Sequence, residues 1–145
     1  MIIEKAQNYK EQVTALLKAE KLPVADLPEG LDNFLVVIEL NAVVGVAGIE
    51  VYGSYGLLRS LAVAPAHRNE GIAGKLISSI EAMAKQKELD ALYLLTETAA
   101  EYFKSKGFTQ ITRAQVPAEV QTSSEFSHVC PVSAIVLTKN LNAQS

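Results

Sequence analysis

The 145-residue chain has one cysteine, Cys130, so no internal disulfide can form, and that scarcity suits a reducing, cytoplasmic setting. Its two histidines, His67 and His128, stand apart, and no His/Cys cluster has metal-ligand spacing. No run of eighteen apolar residues is present, which excludes a long membrane-spanning segment. The opening MIIEKAQNYKEQV lacks the basic-then-apolar layout of a secretory signal. Basic charge is not in excess either. Thirteen Lys and Arg face sixteen Asp and Glu, for a net charge of −3, which argues against a nucleic-acid surface. Repeats, low-complexity tracts and linker-like shifts in composition are missing, so residues 1–145 read as a single domain. With 49% hydrophobic and 20% charged residues, the chain has the mixture that folds around a core rather than staying disordered.

The pattern changes along the chain. MIIEKA reads as a short edge strand. Asn8 and Glu11 have capping-box spacing, and Tyr9, Val13, Leu16 and Leu17 follow at helical intervals, predicting an amphipathic helix over 9–20. KLPVADLPEG, with two prolines and a glycine, breaks that helix and forms a loop. FLVVIEL, VVGVAGIEVY and GLLRSLAVA are β-rich runs separated by short turns, which predicts a three-stranded antiparallel meander. A helix over about 72–87 follows, with Ile72, Leu76, Ile80 and Met83 in one stripe and Ile77 and Ala84 widening it. ALYLLT (91–96) reads as a buried strand. Thr98 and Glu101 suggest a second capping box for a helix ending near Lys106, with Gly107 as its stop. VSAIVLT (132–138) reads as a last strand. The fold class is α/β (α+β), a mixed sheet with a meander first and crossover helices afterwards.

The segment HRNEGIAGK (67–75) sits between a strand and the longest helix. It is not a P-loop: counting back from Gly74-Lys75, the first glycine should be residue 69, which is Asn, and Leu76 stands where Ser or Thr is required. It is not a dinucleotide fingerprint, because 73 is Ala and 76 is Leu. What remains is a cluster of small residues at a helix start, where the first N–H groups lack intrahelical partners and the macrodipole is positive. Gly71, Ala73 and Gly74 would let a ligand approach the backbone, with Arg68 at its side, as a pyrophosphate site would require. A glycine-rich helix start with no ligand is the plainer alternative.

LRSLAVAPAHRNEGIAGKLISSIEA resembles the acetyl-CoA signature of the GNAT N-acetyltransferase superfamily, a strand ending in an apolar-Ala-Val triplet followed by R-x-x-G-x-A, here Arg68 to Ala73. The order of elements is that of the GNAT acyl-CoA N-acyltransferase fold. The resemblance implies acetyl-CoA as the cosubstrate. It implies that the backbone of Arg68, Asn69, Gly71, Ile72, Ala73, Gly74 and Lys75 holds the pyrophosphate, and that Leu61, Ala62 and Val63 pair with the pantetheine arm. LYLLTETAAEYFKSKGF, VPAEVQTSSEF and CPVSAIVLTKNL are similar to a subgroup of small arsenic-resistance N-acetyltransferases and, more distantly, to the acetyltransferase domain of N-acetylglutamate synthase. Both imply an amino acid or analogue, arsenic-containing or phosphinate analogues included, as acceptor. The implied partner is a small-molecule amine, with no nucleic acid and no membrane; a homodimer stays open.

In such an enzyme a neutral amine attacks the thioester directly, and the protein must position both partners, hold the oxyanion and move protons. Strands 57–64 and 91–96 would diverge there and leave an N–H for the carbonyl oxygen. Glu50, near the end of its strand and alternating with Ile49, is the candidate base, or a solvated carboxylate. The family's acid is often a tyrosine four residues before the Gly-Phe of the last helix; here that position is Phe103, and Tyr102 lies about 100° round the helix axis. An α-amine with a pKa near ~8 loses its proton at pH 7 for roughly 1.4 kcal/mol, against roughly 4.6 for a lysine, so a sparse acid/base set favours an amino-acid acceptor. Arg59 and Arg113 are candidate clamps for the acceptor carboxylate, with Ser60 on the face opposite Arg59. Thr96 would hydrogen-bond either ligand or cap the next helix. The long connection 114–131 suggests a lid carrying Ser123, Glu125, Phe126 and His128. Cys130 has no base beside it and reads as a buried thiol rather than a nucleophile. The rival readings are a non-catalytic acyl-CoA-binding regulator and a protein N-acetyltransferase.

Overall fold

A computed structural model describes residues 1–123, Phe126 and residues 134–142. Among the described residues, seven strands form one sheet: β1 (Ile2–Lys5), β2 (Phe34–Glu39), β3 (Ala42–Tyr52), β4 (Tyr55–Val63), β5 (Ala91–Thr96), β6 (Thr109–Ile111) and β7 (Ile135–Asn140). They hydrogen-bond in the order β1-β2-β3-β4-β5-β7-β6. The helices are α1 (Lys10–Ala19), α2 (Ile72–Gln86), α3 (Ala100–Ser105) and α4 (Ala118–Gln121). The chain divides into two compact units, Met1–Ile49 with Arg59–Ala82, and Glu50–Leu58 with Met83–Ser145.

In the first unit, β1 runs antiparallel to β2 and β2 antiparallel to β3. The β2–β3 hairpin closes through Leu40 and Asn41, both at positive φ, a two-residue turn whose twist matches the strands. Val13 and Leu17 of α1 pack with Phe34, Val36, Val46 and Ala62. Two glycines of β3 set how closely its neighbours approach. A Cβ at Gly45 would stand 2.8 Å from Ile72 of α2, and one at Gly48 would stand 2.4 Å from the ring of Phe34, its partner across the ladder. From Ile72 to Ile80, α2 buries Ile72, Leu76, Ile77 and Ile80, the stripe that the periodicity predicts.

In the second unit, β4 pairs parallel with β5 from Tyr55–Ala91 to Leu57–Tyr93, and β5 pairs antiparallel with β7 along its whole length. Leu57, Tyr93, Val116, Val120 and Val136 form its core, with Phe103 and Phe108 also buried.

The helix boundaries differ from the sequence-based expectation in instructive ways. Asn8 is not a cap: the backbone already turns as a 3-10 helix over Ala6–Tyr9, anchored by the buried Ala6, and α1 starts at Lys10 without a side-chain cap. Thr98 and Glu101 do not form a box either, because Ala99 precedes α3 and its N–H is taken by Thr96 Oγ1 at 3.0 Å. Strand β6 is too short to show a period in the sequence. The connection after it is not structureless. Thr112 and Gln115 form a capping box on a 3-10 turn, a T-x-x-Q signature that was legible, and α4 follows. The last strand is β7, two residues beyond the expected end at 138; residues 132 and 133 lie outside the described residues.

All three longer helices end in one hydrogen-bond pattern. Gly107 N–H bonds to Lys104 and Phe108 N–H to Phe103; Lys21 and Leu22 repeat this on Lys18 and Leu17, and Glu88 and Leu89 on Lys85 and Ala84. This is the Schellman motif, with the apolar contact that accompanies it in the Phe103–Phe108 ring pair. Its left-handed position is glycine only at Gly107; Lys21 and Glu88 take φ of 61° there. An L-residue pays roughly 1–2 kcal/mol for that conformation. Lys21→Gly and Glu88→Gly are each expected to stabilise the chain by about 0.5–1 kcal/mol in urea unfolding, after the entropy of the unfolded glycine is allowed for.

Candidate active site

The glycine segment lies wholly within the first unit. After β4 ends at Val63, Ala64 N–H is anchored on the Val44 carbonyl at 2.8 Å, and Pro65–His67 make a 3-10 turn. Asn69 and Gly71 then take φ of 66° and 79°. The first bond inside α2 runs from Lys75 N–H to the Gly71 carbonyl at 3.1 Å, so the N–H groups of Ile72, Ala73 and Gly74 precede it. Ile72 is buried against the position of Gly45, which fixes the helix start. In front of Gly71 there is open space: a Cβ there would meet nothing within 4 Å. Gly71 thus satisfies two demands of an anion cradle, a left-handed backbone and an unobstructed approach.

Around the cradle, Arg68, Asn69 and Lys75 are exposed and Ala73 and Gly74 half-buried. The Arg68 guanidinium pairs with Glu20 and reaches the Val63 carbonyl at 3.4 Å. His67 Nδ1 lies 3.3 Å from Glu70. In β4, Leu61 and Val63 are half-buried while Ala62 joins the core.

Arg59 is engaged within the chain. It is 3% exposed, and its guanidinium grips Asp26 through two bonds of 2.8 and 2.9 Å. Its Nε donates to Ser60 Oγ at 3.1 Å. Ser60 takes φ of 62° in mid-strand, a left-handed kink that costs on the order of 1–3 kcal/mol. Arg59 therefore ties the loop after α1 to the kink of β4. Alternation could not show this, because the partner lies thirty-three residues away.

The other candidates lie in the second unit. Glu50 is half-buried and accepts a hydrogen bond from Tyr52 Oη at 2.7 Å. Tyr52 was not anticipated, although its i+2 spacing from Glu50 places both on one strand face. Thr96 caps the turn before α3. Tyr102 is half-buried, stacks edge-on against Phe103 at 5.6 Å and has the Lys106 ammonium 5.5 Å from its ring. Burial pushes its pKa up. Phe103, at the family's tyrosine position, is buried. Arg113 stands over the ring of Phe126 at 5.7 Å. Ser123, expected in a lid, is 2% exposed and accepts the Phe126 N–H. Glu125, His128 and Cys130 lie outside the described residues. Among the described residues, no three His, Cys, Asp or Glu gather as metal ligands, and no helix is long and apolar enough to cross a membrane.

The sequence profile of the Acetyltransferase (GNAT) domain matches residues 30–110. An amino-acid acetyltransferase of Proteus mirabilis is 31% identical over 93 residues, which is 63% of this chain and 21% of that protein. The chain thus aligns with about a fifth of that relative's length. N-acetylglutamate synthase from Neisseria gonorrhoeae, solved with coenzyme A and N-acetyl-glutamate, matches with a TM-score of 0.82 at 18% identity, covering 98% of this chain and 35% of that one. A Mycobacterium tuberculosis protein solved with CoA gives 0.81 at 22% identity, covering 97% and 99%. At these identities the likeness is one of fold: a GNAT sheet with its helices.

The Arg59–Asp26 pair has a pH signature. Burial works to raise the Asp26 pKa, but the hydrogen bonds and charge of Arg59, with a backbone bond, outweigh it and hold the carboxyl below its ordinary value. A depressed carboxyl contributes stability that is fully present above its unfolded pKa, about 3.9, and is lost as pH falls through the folded value. Asp26→Asn, which leaves Arg59 buried without its counter-charge, is expected to lose about 3 kcal/mol in urea unfolding at pH 7. Below pH ~4 the gap between wild type and variant should close.

Proposed function

Because the chain belongs to the GNAT acetyltransferase family, we propose that it moves the acetyl group of acetyl-CoA to the amine of a small molecule, an amino acid or amino-acid analogue. The observation that carries the reading is Gly71, left-handed and open in front, at the start of α2. The N–H groups of Ile72, Ala73 and Gly74 and the side chain of Arg68 are the proposed partners of the pyrophosphate, and Leu61 and Val63 those of the pantetheine arm. The amino-acid acceptor is supported by the Proteus mirabilis relative and by the N-acetyl-glutamate held by the Neisseria gonorrhoeae neighbour. Arsenic-containing and phosphinate amino acids belong to the same proposal and rest on the resemblance of the chain's second half.

Acetyl-CoA supplies an activated thioester. The acceptor's neutral amine attacks its carbonyl carbon, the C–S bond breaks, and the amine's proton is lost as the thiolate takes one up. Glu50, held by Tyr52, is the proposed acceptor of the amine proton, directly or through water. The β4–β5 ladder holds three pairs, and Leu94, Leu95 and Thr96 lie beyond it; a backbone N–H there is the proposed partner of the carbonyl oxygen. Tyr102 is less suited to donate to the thiolate, given its packing against Phe103, whereas the Tyr52 hydroxyl already sits beside a carboxylate. Arg113 remains the candidate for the acceptor carboxylate, since Arg59 is held by Asp26.

The buried Phe103 favours one second reading, an acyl-CoA-binding regulator without turnover. One measurement tests the cofactor site, and two more separate the readings. Acetyl-CoA should raise the melting temperature, and Gly71→Glu, which places a carboxylate in the cradle, should abolish the shift; an undiminished shift refutes the site. Thiol release over the common amino acids and their arsenic and phosphinate analogues should find at least one turned-over acceptor; saturable binding with no turnover supports the regulator. With that acceptor, Glu50→Gln should lower kcat about 10²-fold while the acetyl-CoA shift persists.

A further inference from the structure

The second unit contains a cavity of about 520 Å3 that the proposed acetyl transfer does not use. Its construction follows from strand register. Tyr55 of β4 pairs with Ala91 of β5, and Ala91 pairs on its other side with Asn140 of β7; Tyr93 pairs with Thr138. Side-chain alternation puts these five residues on one face of three adjacent strands. Ala91, with a single methyl, sits between two larger side chains, and the hollow opens above it. The rings of Tyr55 and Tyr93 meet edge to face at 5.8 Å beside it.

Asp90 lies at the rim on a fixed backbone. Its N–H bonds to the Ser54 carbonyl at 2.6 Å, and its own carbonyl accepts the Leu141 N–H at 2.8 Å. Its Oδ1 accepts a bond from the Asn142 side chain; among the described residues, Oδ2 has no partner. Asp90 is the one formal charge in the lining. Lys139, between the lining residues Thr138 and Asn140, is turned away, with Nζ 2.9 Å from the Lys106 carbonyl and over the ring of Phe108, and Lys87, three residues before Asp90, does not line the cavity. One carboxylate and two phenol rings, with no cationic side chain among the described lining residues, repel anions and favour a positive guest. Thr96, at the far end of β5, is five residues from Ala91, about 16 Å along the strand.

We propose that this cavity is a second ligand site, separate from the acetyl-transfer residues, for a small organic ammonium ion. Asp90 supplies the counter-charge, Tyr55 and Tyr93 the aromatic wall, and the Asn140 amide a donor for an oxygen on the ligand.

Calorimetric titration of the full chain with choline and with ethanolamine tests it, using 3,3-dimethylbutan-1-ol as the neutral isostere of choline. Saturation by at least one ammonium in the millimolar range is expected, with the isostere about tenfold weaker or more. Asp90→Asn should weaken the bound ammonium about tenfold, and Ala91→Leu, which fills the hollow, should abolish binding. Both variants should keep the thermal response to acetyl-CoA of the wild type, so a failure here is distinct from a failure of the transferase reading. No saturation by either ammonium, equal binding of the isostere, or unchanged affinity in Asp90→Asn overturns the proposal. The last criterion stands even where Ala91→Leu does not fold.

Discussion

The ion pair between Arg59 and Asp26 is the interaction on which the arrangement of the first unit depends. A guanidinium with no exposed side-chain surface persists only if its charge and donors are met, and here one carboxylate meets it through two bonds. The same guanidinium steadies Ser60, where the strand backbone enters the left-handed region. Downstream of that kink come Leu61 to Val63 and then the cradle at Gly71. One contact thus joins the loop after α1, the kink in β4 and, through β4, the segment that leads to the cradle.

The pair also shows the difference between reading a residue type and reading its partner. An arginine near an expected reaction centre suggests a carboxylate clamp, and the carboxylate is indeed there, but it belongs to Asp26 of the same chain. Strand periodicity can say that Arg59 and Ser60 face opposite ways; it cannot say which long-range group waits on either side. Tyr52 illustrates the reverse. Its spacing from Glu50 was visible, yet an aromatic at a strand end reads as packing until the 2.7 Å bond is seen. The glycine segment was legible because its signal is local: small residues, a helix start and an arginine within nine positions.

The same contrast between local and distant signals runs through the fold. Long elements with strong periods, β2 to β5 and α2, are where the pattern of apolar residues places them. The helix ends are less transparent. Gly107 announces its Schellman turn, whereas Lys21 and Glu88 adopt the same turn with no compositional cue, because tertiary packing of Leu22 and Leu89 closes it. Asn8 and Thr98 had the right chemistry for caps but lost to neighbours: a buried Ala6 that starts the turn earlier, and a Thr96 hydroxyl that reaches the helix start first.

Gly48 lies directly under the ring of Phe34, with no room for even a methyl group. The two positions therefore cannot drift independently among descendants of this sequence. A side chain can appear at 48 only after the aromatic at 34 has given way to something smaller, and the return of an aromatic would require the glycine again. History at this spot moves in ordered, two-step exchanges, so a lone change at either position records half of an unfinished replacement.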